Sequence, residues 1–176
     1  MNVDISGAAD QEEDEDEVLR QLRAGEVTVE ERKVDDYRAK VLQAAPLYAQ
    51  MFEQLLDPEN RPFLFHCQGG KDRAGIGAAL VLLALDVPRE TIVQDYLLTD
   101  RYLAPLSEEA IVHYAEHYDM SVELMRQLAD QRSVREAIEA IFDAMEDEYG
   151  STDAYLRDAL GLSDADRTRL QDALLI

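Results

Sequence analysis

The chain has 176 residues and a mass of 19.9 kDa, which suits one domain with or without a tail, and 47% of it is hydrophobic, enough for a packed core. Thirty-eight Asp and Glu stand against seventeen Lys and Arg, a formal net charge of −21. That balance excludes nucleic-acid backbones and anionic membrane surfaces as partners, because both demand a basic face. The longest apolar run, Gly75 to Leu85, falls far short of the ~20 residues of a spanning helix, so no membrane insertion is expected. No signal-peptide pattern opens the chain, and its one cysteine, Cys67, excludes a disulfide framework and a cysteine-rich zinc site. These features together point to a cytoplasmic protein. Residues 1–32 hold eleven acids and three arginines, so the acidity is spread along the chain and not confined to a tail. Only Lys33, Lys40 and Lys71 are lysines, a composition shared by halophilic proteins and by acidic proteins of GC-rich mesophiles.

Met1 to about Glu17 has the composition of a disordered segment, and Glu26 to Glu30 alternates enough to be a weak strand candidate. From Val34 to Leu55, apolar residues at Val34, Tyr37, Val41, Ala44, Tyr48, Met51 and Leu55 mark one helical face. Pro46 should kink or split that helix near Ala45. A turn follows at 57–62, then a short buried strand at about 62–67. Gln68 to Gly75 is polar and glycine-rich. The segment from Gly75 to Leu85 is apolar all round and predicts a central buried helix. Further helices are expected at 90–100, 107–118 and 121–131. Ser133 with Glu136 predicts a capping box for a helix from Val134 to Tyr149, ended by Gly150. A helix at 152–160 closes at Gly161, and Ser163 with Asp166 opens the last one. The chain is thus mostly α, with one strand.

The chemistry is concentrated in His66-Cys-Gln-Gly-Gly-Lys-Asp-Arg-Ala-Gly75, placed between the strand and the apolar helix. Glycines let successive backbone N–H groups curve inward around a dianion, and the helix end adds its positive dipole. Arg73 offers a planar fork to two phosphate oxygens. The same field favours a thiolate at Cys67, the form that acts as a nucleophile. A lone C-x5-R would be weak evidence, and Cys67 alone could be a small buried hydrophobe at a strand end. The glycines, His66, the strand before and the helix after make the phosphate loop the better reading.

These residues resemble the signature loop of the bacterial-type protein tyrosine phosphatases, the atypical dual- or triple-specificity family with Lys-Asp inside the loop. Asp95-Tyr-Leu-Leu98, Tyr149-Gly-Ser151 and Tyr155-Leu156 add weaker similarity, and the likeness covers about 34–176. The resemblance implies an α/β fold of the cysteine-phosphatase type at 34–176, mostly α in this chain, after an acidic, weakly structured segment at 1–33. It also implies roles. Cys67 is the nucleophile, Asp72 the general acid and Arg73 the phosphate clamp. Gln68, Gly69, Gly70 and Lys71 join Arg73 in binding phosphate, and His66, Ala74 and Gly75 support the loop. The implied reaction forms a cysteinyl-phosphate that water hydrolyses, with no metal or cofactor. Its substrates would be phosphotyrosine, other phosphoproteins or phosphoinositides.

Two departures from the family pattern matter. Ala74 stands where a hydroxyl usually helps the sulfur to leave, which predicts slow breakdown of the phospho-enzyme. Family members also carry several strands upstream of the loop, one ending in Asp-Leu-Arg, whereas here only 62 residues precede Phe63. Residues 26–30 could supply a strand, the chain could be shortened at its N-terminus, or a partner, including a second copy, could complete the sheet. Two further readings therefore stand beside the enzyme: a phosphate-binding relative without efficient turnover, and an acidic helical interaction protein. His113-Tyr-Ala-Glu-His117 fits an inverted zinc-protease pattern, but partly buried or surface histidines on an ordinary helix explain it better. The resemblance makes 107–131 a lid over the site. Tyrosines 96, 102, 114 and 118 could line a substrate mouth, but they are expected mainly to pack the core.

Overall fold

The computed structural model describes residues 15–67, 69–102, 105–130 and 132–175. Most of the expected disordered segment, residues 1–14, lies outside them. Helix α1 runs Glu15–Ala24 and stops at Gly25, whose φ of 67° lies in the left-handed region that glycine adopts without strain. The strand expected at 26–30 is instead the start of α2, Val29–Gln43. Thr28 accepts from the Glu31 backbone N–H while the Glu31 side chain accepts from the Thr28 backbone N–H. This reciprocal cap outweighs the weak strand preference of Val27 and Val29. Position 33/34, the expected start of the domain, falls inside this helix.

Pro46 splits the next helical stretch as expected, with α3 running Ala45–Leu56 and Pro46 in its first turn, where a missing N–H costs nothing. A 3-10 turn at Pro58–Asn60 follows. Then α4 spans Asp72–Ala84, α5 Arg89–Leu97, α6 Glu108–His117, α7 Val122–Ala129, α8 Arg135–Tyr149, α9 Thr152–Asp158 and α10 Asp164–Leu174. Gly150 caps α8 in the left-handed conformation, and Ser163 with Asp166 forms the expected capping box of α10. The box expected at Ser133 and Glu136 does not form. Val134 is the N-cap, without a side-chain hydrogen bond, and the Ser133 N–H donates to Asp100 Oδ1 at 2.6 Å.

Among the described residues there is no strand. Residues 63–67 are extended and alternate as a strand would, with Phe63, Phe65 and Cys67 half-buried and Leu64 and His66 exposed. No neighbouring chain segment among the described residues offers them a ladder, so the expected 62–67 strand remains a lone extended segment. The chain is mostly helical. None of its described helices is long and apolar enough to cross a membrane.

The core lies where α2 packs along α8, with α3, α4, α5, α9 and α10 around the pair. Tyr37, Val41, Phe52, Ile141, Phe142 and Met145 are almost fully buried there. The Tyr155 hydroxyl donates to the Val41 carbonyl at 2.6 Å and ties α9 to α2. Helix α4 is buried on one side only. Ile76, Ala79, Leu80 and Ala84 are enclosed, while Ala74, Ala78 and Val81 are half-exposed, since among the described residues helices cover one flank and no sheet covers the other. Helices α6 and α7 pair as a hairpin with a small core of their own, Ile111, Ala115 and Met125.

Candidate active site

The extended segment reaches the loop through Phe65, whose ring packs on α4 at Gly77. A Cβ built on Gly77 would sit 3.3 Å from that ring and 3.4 Å from the Met51 sulfur, so the absence of a side chain lets 63–67 lie close to α4 and α3. Cys67, a free half-buried thiol, follows. Its carbonyl lies 3.3 Å from His66 Nδ1, with His66 itself exposed. Gln68, expected to bind phosphate, lies outside the described residues. Gly69 and Gly70 are exposed, with nothing within 4 Å of a built Cβ. Gly70 has a φ of 68°, the left-handed turn that sends the chain into α4 and that a branched residue would resist.

Lys71 is the N-cap residue of α4 and, at 8% exposure, the one charged side chain buried among the described residues. Its Nζ lies 3.5 Å from Asp72 Oδ1. Asp72 opens the helix, where a carboxylate suits the positive dipole end. The Tyr37 hydroxyl of α2 donates to the same Oδ1 at 2.6 Å. One turn earlier on α2, half-buried Lys33 donates to the Asp130 carbonyl at 2.9 Å. Burial, and next the charge of Lys71, hold its ammonium below the ordinary lysine range.

Arg73 is half-buried, and its backbone carbonyl accepts from the Tyr48 hydroxyl at 3.2 Å. Among the described residues no carboxylate lies within ion-pairing distance of its guanidinium, whereas Arg135, Arg126 and Arg167 each engage two carboxylates. Burial pushes the Tyr48 phenol up. Cys67 adds to that shift and Arg73 opposes it, so thiol, guanidinium and phenol share one neighbourhood. The loop thus gathers Cys67, Lys71, Asp72 and Arg73 at the N-terminus of α4. Such an arrangement can receive a dianion on backbone N–H groups, a helix end and two cations. A cavity of about 220 Å³ lies alongside, lined by Phe65, Gly70, Ala74, Gly75 and Tyr96 among others. Gly75 makes room for Tyr96, because a Cβ there would stand 3.0 Å from its ring.

Tyr37 and Tyr48 carried no functional signal in the sequence, and Tyr96 only a weak one, through the family-like Asp95-Tyr-Leu-Leu98. Each reads as an apolar position of a helical face, and only the packing shows where its hydroxyl points. Of the four tyrosines expected mainly in the core, Tyr96 is buried, while Tyr102 is 87% exposed and Tyr114 and Tyr118 are also exposed. They lie on or just before a helical hairpin whose buried positions are filled by Ile111, Ala115 and Met125. His113 and His117 are exposed on α6, each against a neighbouring tyrosine ring. No three His, Cys, Asp or Glu side chains converge among the described residues.

The whole chain, residues 1–176, matches the sequence pattern of the tyrosine phosphatase family. It is 35% identical over 100 residues to a Cupriavidus necator protein with a provisional tyrosine-protein phosphatase name. It is 34% identical over 125 residues to the triple specificity protein phosphatase of Mycobacterium tuberculosis, and 29% identical over 134 residues to a tyrosine-protein phosphatase of Nostoc commune. These alignments cover 57%, 65% and 72% of this chain but only 36%, 44% and 43% of the relatives, so the chain spans less than half their length.

Proposed function

The chain belongs to the tyrosine phosphatase family, and on that premise we propose that it hydrolyses phosphate monoesters, phosphotyrosine or another phosphoprotein first and phosphoinositides as a further class, through Cys67. The observation that carries this reading is the loop itself: a half-buried thiol and a half-buried arginine that has no carboxylate partner among the described residues, six residues apart, joined by a left-handed glycine turn at the start of an apolar helix. Gln68, Gly69, Gly70, Lys71 and Arg73 would cradle the phosphate, while His66, Ala74 and Gly75 shape the loop. Cys67 Sγ attacks phosphorus as the ester P–O bond breaks, and Asp72 gives its proton to the departing oxygen. Water then attacks phosphorus, the S–P bond breaks, and Asp72 takes the water proton.

Ala74 favours a second reading, a phosphate binder that turns over slowly. A methyl group there cannot hydrogen-bond the leaving sulfur in the second step. Residues 63–67 also fit an incomplete α/β sheet. Their alternation is that of a strand, and Leu64 is 85% exposed, so a further segment or a second copy pairing along that edge would complete it.

Hydrolysis of p-nitrophenyl phosphate by wild type and by Cys67→Ser, together with vanadate binding, tests the reading. Cys67-dependent turnover supports the enzyme. Vanadate binding without turnover leaves the slow binder, and absence of both removes phosphate chemistry in favour of an acidic interaction protein.

A further inference from the structure

Behind the loop, two phenols meet inside the protein. Tyr37 of α2 is 1% exposed and Tyr96 of α5 is buried. Their hydroxyl oxygens are 2.6 Å apart and their rings cross edge to face with centroids 6.0 Å apart. Tyr37 has one proton, and it lies on the short bond to Asp72 Oδ1. A carboxylate accepts only, so Tyr96 donates to Tyr37 and Tyr37 donates to Asp72. Burial pushes the Tyr96 phenol up to about 12 and drives Tyr37 further in the same direction, so both remain donors throughout the neutral range. Gly75 sets the far end of this row, because only a residue without Cβ leaves space for the Tyr96 ring against α4.

Resting on the assignment of Asp72 as proton donor, we propose that the Tyr37–Tyr96 pair, seated against Gly75, is a positioning device that holds Asp72 toward the leaving group. The Asp72 side chain is 47% exposed and lies beside Lys71 Nζ, so without an anchor it would swing between solvent and the ammonium. Tyr37 ties down Oδ1. Among the described residues Oδ2 has no hydrogen-bond partner, and it is the oxygen left to carry the proton. The anchor survives the proton cycle. A carboxylic acid protonated on Oδ2 still presents Oδ1 as an acceptor, so the Tyr37 bond holds before and after transfer. Lys71 cannot substitute, because its charge attracts the carboxylate and gives up that attraction once the acid is protonated.

The test uses two esters that differ in their need for a proton. Phenyl phosphate has a poor leaving group, and p-nitrophenyl phosphate a good one. In Tyr37→Phe, kcat for phenyl phosphate should fall roughly tenfold to a hundredfold, as expected for a misplaced catalytic group. Turnover of p-nitrophenyl phosphate should stay within about twofold and vanadate affinity should not change, since nucleophile and phosphate clamp are untouched. Tyr96→Phe should shift the ratio of the two rates in the same direction by less, and it provides the readout if Tyr37→Phe fails to fold by circular dichroism. Added to Asp72→Asn, Tyr37→Phe should produce no further change in that ratio. An unchanged ratio in the folded single variants, or a change that persists beside Asp72→Asn, would overturn the positioning role. Wild type that hydrolyses neither ester overturns the phosphatase reading, and the positioning role with it.

Discussion

The surroundings of the loop and the α6–α7 hairpin both use tyrosine and both sit among charged residues, yet they treat these groups in opposite ways. Around the loop, Tyr37, Tyr48 and Tyr96 are buried, each hydroxyl has a named partner, and Lys71 is enclosed. In and beside the hairpin, Tyr102, Tyr114 and Tyr118 face solvent, and Arg126 pairs with Glu108 and Glu123 at the surface. One region spends packing on fixing hydroxyls and charges in place. The other rests on three buried apolar residues and screened ion pairs, and it should open at lower cost. The difference shows that burial, and not residue type, makes a tyrosine a structural donor here.

Four measurements break or sharpen that contrast. Cys67→Ser should lower Cys67-dependent turnover by at least about a thousandfold while vanadate remains bound, because only the attacking atom changes. Next in size, Phe52→Ala, a cavity in the main core, should cost about 3–5 kcal/mol in chemical denaturation. Met125→Ala in the hairpin should speed amide exchange across 108–129 while shifting the global midpoint far less. Equal global losses from the two would deny that the hairpin is a separate unit.

A third measurement is alkaline titration. The phenols of Tyr37, Tyr48, Tyr96 and Tyr155 are all raised by burial, so the folded state resists their ionisation. Stability from Tyr96 is fully present below the ordinary phenol value near 10 and is lost as pH rises through about 12. Tyrosinate absorbance from these four buried phenols should therefore appear late in the titration, and Tyr96→Phe should flatten the loss of stability across that window. Ionisation of Tyr96 near the ordinary phenol value would refute the effect of burial. The smallest effect is with salt. Lys71 and Arg73 lie in the loop of a chain of net charge −21, so on the proposed function turnover should rise about two- to threefold with moderate salt as long-range repulsion is screened. A steep fall would mean that attraction at the loop dominates at range.

Much of the molecule was legible in the sequence because it rests on local rules. The split at Pro46, the left-handed stop at Gly150 and the cap at Ser163 and Asp166 need only neighbouring residues, and each stands as expected. Local rules failed where two competed. Thr28 with Glu31 made a helix start of a segment whose valines suggested a strand, and Asp100 took the Ser133 N–H in place of the expected capping box. The 62–67 strand failed for a different reason, since alternation sets which side chains point inward but a ladder needs a second segment.

The order of Cys67, Lys71, Asp72 and Arg73 and the glycines between them were determined by the sequence alone, because the proposed cradle is a short contiguous turn. The net charge of −21 was equally plain from composition. Only the tertiary structure decided that Tyr37, thirty-five residues before Asp72, reaches its carboxylate and that Tyr96, on a later helix, reaches Tyr37. No periodicity distinguishes a tyrosine that merely fills the core from one whose hydroxyl crosses it. That distinction appears when α2, α4 and α5 pack together and Gly75 leaves the space between them.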